Sequence, residues 1–277
     1  MSKTRNRLGW PPPKKSLGQV MLVDSEIARE IVSLSEFQRG ADVLEVGPGR
    51  GIITELLLQS GFKIVGCEID GRMVELLNKR FVSNPNFSLL QEDILKLDLE
   101  RIFPGESFSV IGNLPYHLTS EILFKFFDYV RRYWDDQKIP RVQSLVIMVH
   151  KEVAERLLTA PNSRLWGVLS VHTRLHSETK HILEVPADCF KPRPHIDSTV
   201  VKLTFRSDYP CEINDYQLFR KVVKTAFNQR RKMLKNTLSH FNLQDSLNID
   251  LTRRPETLSV EEFAYITNRL ANQYFRF

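Results

Sequence analysis

The sequence predicts a mixed, doubly wound α/β sheet followed by a small all-helical domain. Three observations carry that prediction. Short apolar strands alternate with amphipathic helices from Asp42 to Thr159, the pattern of a parallel sheet covered on both faces. Next, His181–Val185 and Thr199–Phe205 are separated by thirteen residues that include Pro186, Pro192 and Pro194. Parallel neighbours need a crossover of about a dozen residues or more, usually helical, and the prolines exclude a helix. That pair is therefore expected to be antiparallel. Beyond Arg206 only helical periodicity remains, at 214–227, 229–240 and 259–272.

Residues 1–22 read as a basic arm, because Trp10-Pro11-Pro12-Pro13 cannot be helical. Asp24 or Ser25 caps a helix to about Phe37, with Ile27, Ala28, Ile31, Val32 and Leu34 apolar, and Gly40 closes it. Asp42–Val46 is a strand and Ile52–Gln59 a helix ended by Gly61. Lys63–Cys67 and Arg72–Phe81 repeat the unit, and Phe87–Leu90 and Phe108–Ile111 are further strands. Thr119–Arg132 is an amphipathic helix, Ser144–Val149 a strand and Lys151–Thr159 a helix. The expected division is an arm (1–22), a sheet domain (23–206) and a helical domain (207–277).

Composition narrows the class. At 277 residues, 42% hydrophobic and 26% charged, the chain is an ordinary globular protein of one large and one small domain. No uncharged apolar run approaches the ~18 residues of a membrane span. The N-terminus lacks the apolar stretch of a secretory signal. Cys67, Cys189 and Cys211 form no CxxC pair, which argues against a disulfide framework or zinc ribbon and fits a cytoplasmic location. The net charge of +6 is unevenly placed. Residues 1–23 carry Lys3, Arg5, Arg7, Lys14 and Lys15 with no acid, and Tyr216–Gln244 carries seven cations with none. Such asymmetry points to a polyanionic partner. Arg230, Arg231 and Lys232, on a predicted helix, are the expected phosphate contacts.

The strongest ligand signal is Glu45-Val46-Gly47-Pro48-Gly49-Arg50-Gly51, which follows a strand and opens a helix. Glycines there permit positive φ and close backbone approach, and the helix start offers unpaired N–H groups. The spacing is GxGxG, unlike the GxGxxG of dinucleotide sites. Glu68, at the end of the second strand, is placed to accept both hydroxyls of a ribose, and Asp93, ending the third, lies where an adenine 6-amino group would sit.

At the end of the fourth strand stands Asn113-Leu114-Pro115-Tyr116. An exocyclic amine on a base is a poor nucleophile, because its lone pair is delocalised into the ring. The Asn113 side-chain carbonyl, with the main-chain carbonyl of Leu114 or Pro115, can accept its hydrogens and aim the lone pair at an electrophile. Pro115 fixes the turn, and Tyr116 offers a flat face for an extruded base.

With these motifs in order, the chain resembles the small-subunit (16S) rRNA adenine N6,N6-dimethyltransferases of bacterial type. Lys14–Asp24 resembles the family's KxLGQNFLxD arm, and Leu44–Gly51 its S-adenosylmethionine loop. His150–Val153, Phe190–Ser198, Ala226–Asn236 and Arg254–Phe263 match its later motifs. The resemblance implies a Rossmann-like class I methyltransferase with a mixed seven-stranded sheet and a helical rRNA-engaging domain. It implies transfer of methyl groups from S-adenosylmethionine, without a metal, to N6 of two adjacent adenosines near the 3′ end of small-subunit rRNA. The partner would be a pre-30S particle, with no membrane and a monomeric enzyme. By position, Val20, Leu22, Gly47, Glu68, Asp93 and Asn113 would hold the cofactor. Asn113, Leu114, Pro115, Tyr116 and Phe190 would hold the target base, with Phe190 as the opposite aromatic wall.

The arm here reads Gln19-Val20-Met21-Leu22 where the family commonly has Gln-Asn-Phe-Leu, so position 20 is left with its backbone alone. His150 and His195 replace the usual Gln and Lys, outside the expected chemistry. His117 is not needed as a base, since the methylated amine loses its proton to water. His172 and His176, at i and i+4, read as helix surface or core rather than metal ligands. Rival readings are the related large-subunit rRNA dimethylating family, a non-catalytic assembly or transcription factor, and a nicotinamide dehydrogenase. Leu114 and Ala226–Asn236 disfavour the first, intact Asn113–Tyr116 and Glu68 the second, and GxGxG the third.

Overall fold

A computed structural model describes residues 11–14, 17–241 and 248–274; Lys3, Arg5, Arg7, Trp10, Lys15 and Gln244 lie outside them. The arm enters through a two-residue strand, β1 (Met21–Leu22), and Asp24 then caps α1 (Ser25–Leu34) by accepting from Glu26 and Ile27 N–H. There follow β2 (Asp42–Val46), α2 (Ile52–Gln59), β3 (Lys63–Cys67), α3 (Gly71–Phe81), β4 (Phe87–Leu90), a short α4 (Leu99–Ile102), β5 (Phe108–Asn113) and α5 (Thr119–Asp135). The chain continues through β6 (Val142–His150), α6 (Lys151–Leu158), α7 (Val168–His176), β7 (Ser177–Val185), β8 (Phe190–Lys191) and β9 (Ser198–Phe205). It closes with α8 (Tyr216–Asn228), α9 (Leu234–Thr237) and α10 (Val260–Tyr274).

Seven strands form one sheet in the order β4-β3-β2-β5-β6-β9-β7. The pairs β2–β3, β3–β4, β2–β5 and β5–β6 are parallel, and β9 is antiparallel to β6. The sheet is thus mixed, with β7 and β9 neighbours at its end. Strand order reverses between β2 and β5, the switch point where open α/β sheets bind ligands. β1 and β8 form a separate antiparallel ribbon that pairs Met21 with Lys191 and Leu22 with Phe190. Gly51 caps α2 at φ +75°, and a Cβ there would lie 2.8 Å from the Phe81 ring and 2.9 Å from Leu77. The third glycine of the motif therefore serves the packing of α3, rather than ligand approach.

The chain divides into two compact units, Met1–Val130 with Pro140–Ala154 and Lys180–Phe205, and Arg131–Ile139 with Glu155–Thr179 and Arg206–Phe277. One break falls at Phe205/Arg206, and the second unit takes in 131–139 and 155–179 as well. In the first unit Ala28, Ile31 and Leu57 of the helices pack with Val43, Ile64, Ile111 and Val146 of the strands. The core of the second unit joins Trp166, Leu175, Phe219, Val223, Leu234, Phe263 and Leu270. Trp166 Nε1 there donates to the Leu258 carbonyl at 2.9 Å.

Two helices differ from expectation. The first ends at Leu34, because Ser35 folds its hydroxyl back onto the Val32 carbonyl and Glu36 takes a positive φ of 55°. The helix expected over 229–240 is broken. Leu234 and Lys235 N–H donate to the carbonyls of Arg253 and Leu251 (2.9 Å each), so a distant segment starts α9 afresh. Arg230, Arg231 and Lys232 consequently lie in a turn, not on a helix. Among the described residues no helix is long and apolar enough to cross a membrane, and no group of three His, Cys, Asp or Glu could hold a metal.

His172 and His176 are core residues, 1% and 0% exposed. His176 Nδ1 bonds the His172 carbonyl at 2.7 Å, and the Tyr216 hydroxyl bridges both rings. Burial holds His176 down to about 3 and His172 well below its ordinary value. The unfolded chain binds those protons near pH 6.5 and the folded one does not, so stability falls as pH drops from 6.5 towards 3. We expect each histidine to cost up to about 1.4 kcal/mol per pH unit in that window. Urea midpoints measured at pH 7.5 and 5 should show a smaller drop for His176→Phe than for the wild type; equal drops would refute the assignment.

Candidate active site at the carboxyl edge of the sheet

Parallel pairing of β2 with both β3 and β5 sets Val46 opposite Cys67 on one side and Gly112 on the other. Gly47, Glu68 and Asn113 therefore emerge side by side. They line a cleft enclosing about 1060 Å³, open mouth included, which Asp93, the arm residues Leu17–Leu22 and Leu114–Tyr116 also line. Such a space suits a nucleoside-sized ligand. All six residues expected to hold a cofactor (Val20, Leu22, Gly47, Glu68, Asp93 and Asn113) are brought together there.

Gly47 has φ +66° and donates its N–H to the Cys67 carbonyl at 2.9 Å. Glu68 is 5% exposed. Its Oε2 accepts from Gly49 N–H at 3.1 Å and its Oε1 from Asp70 N–H at 2.9 Å. Burial raises its pKa while those donors pull it back. Ile69 N–H also pulls on the carboxylate, and with about four lone-pair sites Glu68 keeps capacity for a ligand hydroxyl. Asp93 Oδ1 accepts from Leu95 N–H at 2.9 Å, leaving its other oxygen to the cleft.

Glu45 is a site residue to which the sequence reading gave no role. It is 2% exposed and accepts the Thr54 hydroxyl at 2.6 Å. Burial, its largest influence, pushes it up to about 7. The available signal was an acid inside the otherwise apolar run Val43–Val46.

At the other end, Asn113 Nδ2 donates to the Val20 carbonyl at 2.6 Å. The Pro115 carbonyl is already engaged, by Leu118 N–H at 2.9 Å and the Thr119 hydroxyl at 3.3 Å. Of the two main-chain acceptors expected for an amine, Leu114 is the one left to serve. Tyr116 is pinned through its hydroxyl to Ser198 Oγ at 3.0 Å. Its ring packs on His150, with centroids 3.4 Å apart and planes at 37°. His150 thus touches the expected chemistry after all. Phe190, the expected opposite wall, is 2% exposed and packs with the first unit's core; on β8 it pairs with Leu22, which lines the cleft. Arg230 donates to the carbonyls of Arg164 (2.7 Å) and Trp166 (2.5 Å), so it secures the turn, whereas Arg231 and Lys232 are exposed.

A family model described as "Ribosomal RNA adenine dimethylase" matches residues 13–272. The chain belongs to that family. Ribosomal RNA small subunit methyltransferase A of Alkaliphilus oremlandii is 37% identical over 273 residues, covering 94% of this chain and 92% of that protein. Its Bacillus cytotoxicus namesake is 36% identical over 275 residues, covering 93% and 91%. Two solved structures share the fold. A dimethyladenosine transferase from Plasmodium falciparum has a TM-score of 0.74 at 21% identity, over 92% of this chain and 98% of that one. The 23S rRNA methyltransferase ErmE has 0.63 at 22%, over 91% and 99%. This rRNA adenine dimethylase is an S-adenosylmethionine-dependent enzyme, and the dehydrogenase reading falls. Its residues fit that cofactor: Glu68 offers a buried carboxylate to ribose hydroxyls, and a Cβ on Gly47 would meet nothing closer than the Asn113 carbonyl at 4.0 Å, leaving open space above the glycine.

A carboxyl raised from 4.5 in the unfolded chain to about 7 in the fold contributes stability that is present below pH 4.5 and lost as pH rises through 7. Glu45→Gln should abolish that fall and raise the urea midpoint at pH 8, and an unchanged pH 5–8 profile would refute it.

Proposed function

We propose that the protein transfers methyl groups from S-adenosylmethionine to N6 of two adjacent adenosines near the 3′ end of small-subunit rRNA, dimethylating both. It would act as a monomer on a pre-30S particle in the cytoplasm. The reading rests on one observation above the others: the Asn113 amide stands in the same cleft as Glu68, with its nitrogen committed to Val20. That leaves Oδ1 as the end that meets an amine.

S-Adenosylmethionine supplies, when bound, an electrophilic methyl group on a sulfonium centre. Glu68 holds ribose hydroxyls, Asp93 an adenine amino group, and Gly47 leaves room beside them. The flipped target base stacks on Tyr116, whose ring cannot swing because Ser198 holds its hydroxyl and His150 backs it. Asn113 Oδ1 and the Leu114 carbonyl accept the two amine hydrogens, which turns the nitrogen lone pair towards the donor. The proton leaves to water after transfer, so no side chain need act as base. Arg231 and Lys232 contact phosphate, with Arg230 bracing their turn. The chain's likeness to small-subunit rRNA methyltransferases at 36–37% identity favours the small subunit over the large one.

The test is transfer of labelled methyl groups to unmethylated small-subunit particles, large-subunit RNA and free RNA. Label should appear as N6,N6-dimethyladenosine in small-subunit rRNA. Asn113→Ala should lose at least about a hundredfold in rate, the scale of removing one positioned acceptor. Arg231→Gln with Lys232→Gln should weaken particle binding and flatten its salt dependence. Label on large-subunit RNA instead would overturn the substrate. No label anywhere would overturn the chemistry.

A further inference from the structure

An asparagine side chain is nearly symmetric in outline, but its two ends are chemically opposite. A half-turn about the last torsion exchanges an acceptor for a donor pair. Sheet pairing places Asn113 at the end of β5 but does not choose between the two settings. A donor amine can be oriented only by the oxygen; the NH2 end would repel it. Something else must make that choice. The only protein hydrogen bond of the Asn113 side chain among the described residues runs from Nδ2 to the Val20 carbonyl, at 2.6 Å. A carbonyl can only accept, so this contact admits one setting and presents Oδ1 to the cleft.

We propose that the entering arm, through the Val20 main-chain carbonyl, sets which end of Asn113 meets the target amine, and that Gln19 is the positioning residue that holds the arm there. The inference rests on the function proposed above. Gln19 is tied twice: its Oε1 accepts from Lys14 N–H at 2.7 Å and its Nε2 donates to Asp70 Oδ2 at 3.0 Å. Asp70 is a firm anchor, 5% exposed, capping α3 and bridged by Arg72 at 2.6 Å. On the other side of Val20, β1 pairs with β8, and Val23 N–H donates to the Cys189 carbonyl at 2.9 Å. The acceptor is thus held from both flanks. Because it belongs to the main chain, no polar side chain is needed at position 20, which accounts for a valine there.

The same segment also lines the cofactor end of the cleft, so the experiment must separate covering the cofactor from orienting Asn113. Two proteins are compared, wild type and Gln19→Ala, which removes both side-chain tethers of the arm. Single-turnover methyl transfer is measured with cofactor and small-subunit particles both saturating. Binding of S-adenosylhomocysteine is measured by calorimetry. The Asn113 side-chain signal is followed in protein labelled with 15N-asparagine, identified by its loss in Asn113→Ala. Gln19→Ala should slow the saturated step about tenfold or more, roughly the worth of one hydrogen bond. It should also speed solvent exchange of the Asn113 side-chain amide protons relative to wild type. A saturated rate and amide exchange equal to wild type, with only weaker S-adenosylhomocysteine binding, would overturn the proposal and leave the arm as a cofactor cover. The amide readout needs no substrate, so a wild type that methylates nothing would refute the proposed function and still leave this inference decided.

Discussion

The approach of β5 to β2 at Gly112 is the constraint on which the site depends. A Cβ at that position would stand 2.6 Å from the Val46 carbonyl and 3.1 Å from the Val46 Cβ. Only glycine lets the two strands pair where the sheet reverses direction. That pairing sets Asn113 beside Gly47, and pairing of β2 with β3 on its other edge sets Glu68 beside the same loop. The groups proposed to hold cofactor and target base thus follow different strands of one sheet, so the distance between them is set by strand pairing.

Charge is distributed in keeping with that arrangement. The cleft is lined by four acids, Glu45, Glu68, Glu92 and Asp93, against one arginine, Arg50, a balance that suits a cationic donor. Asp70, held down to about 2 chiefly by Arg72, remains an acceptor for the arm at every pH the protein meets. Glu45 stands apart. Its pKa near 7 means that it carries its charge only at a cost, which a bound cation would offset. The exposed cations Arg231 and Lys232 belong to the helical unit, beyond a motif whose arginine partner is spent on main-chain carbonyls.

Much of this was legible in the sequence. The bounds of β2, α2, β3 and β4 follow from apolar runs punctuated by Gly47, Gly61 and Asp70, because local preference and burial agree there. Gly47, Glu68, Asp93 and the tetrapeptide 113–116 stood out by their places after strands, Val20 and Leu22 only through the family resemblance, and all of them line one cleft. What stayed hidden depends on distant partners. The β1–β8 ribbon has two residues on each side and no periodicity to betray it. The start of α9 is decided by carbonyls of 251 and 253. His150 looked neutral because nothing local shows its ring on Tyr116.

The central claim is that one cleft has two separable ends, a cofactor end built on Glu68 and a base end built on Tyr116. Calorimetric titration of S-adenosylmethionine into wild type, Glu68→Ala and Tyr116→Ala tests it most directly. The account predicts that Glu68→Ala weakens binding by about tenfold to a hundredfold, the loss of a pair of hydrogen bonds to a buried carboxylate, while Tyr116→Ala stays within about threefold of wild type. Binding lost in Tyr116→Ala and kept in Glu68→Ala would contradict it.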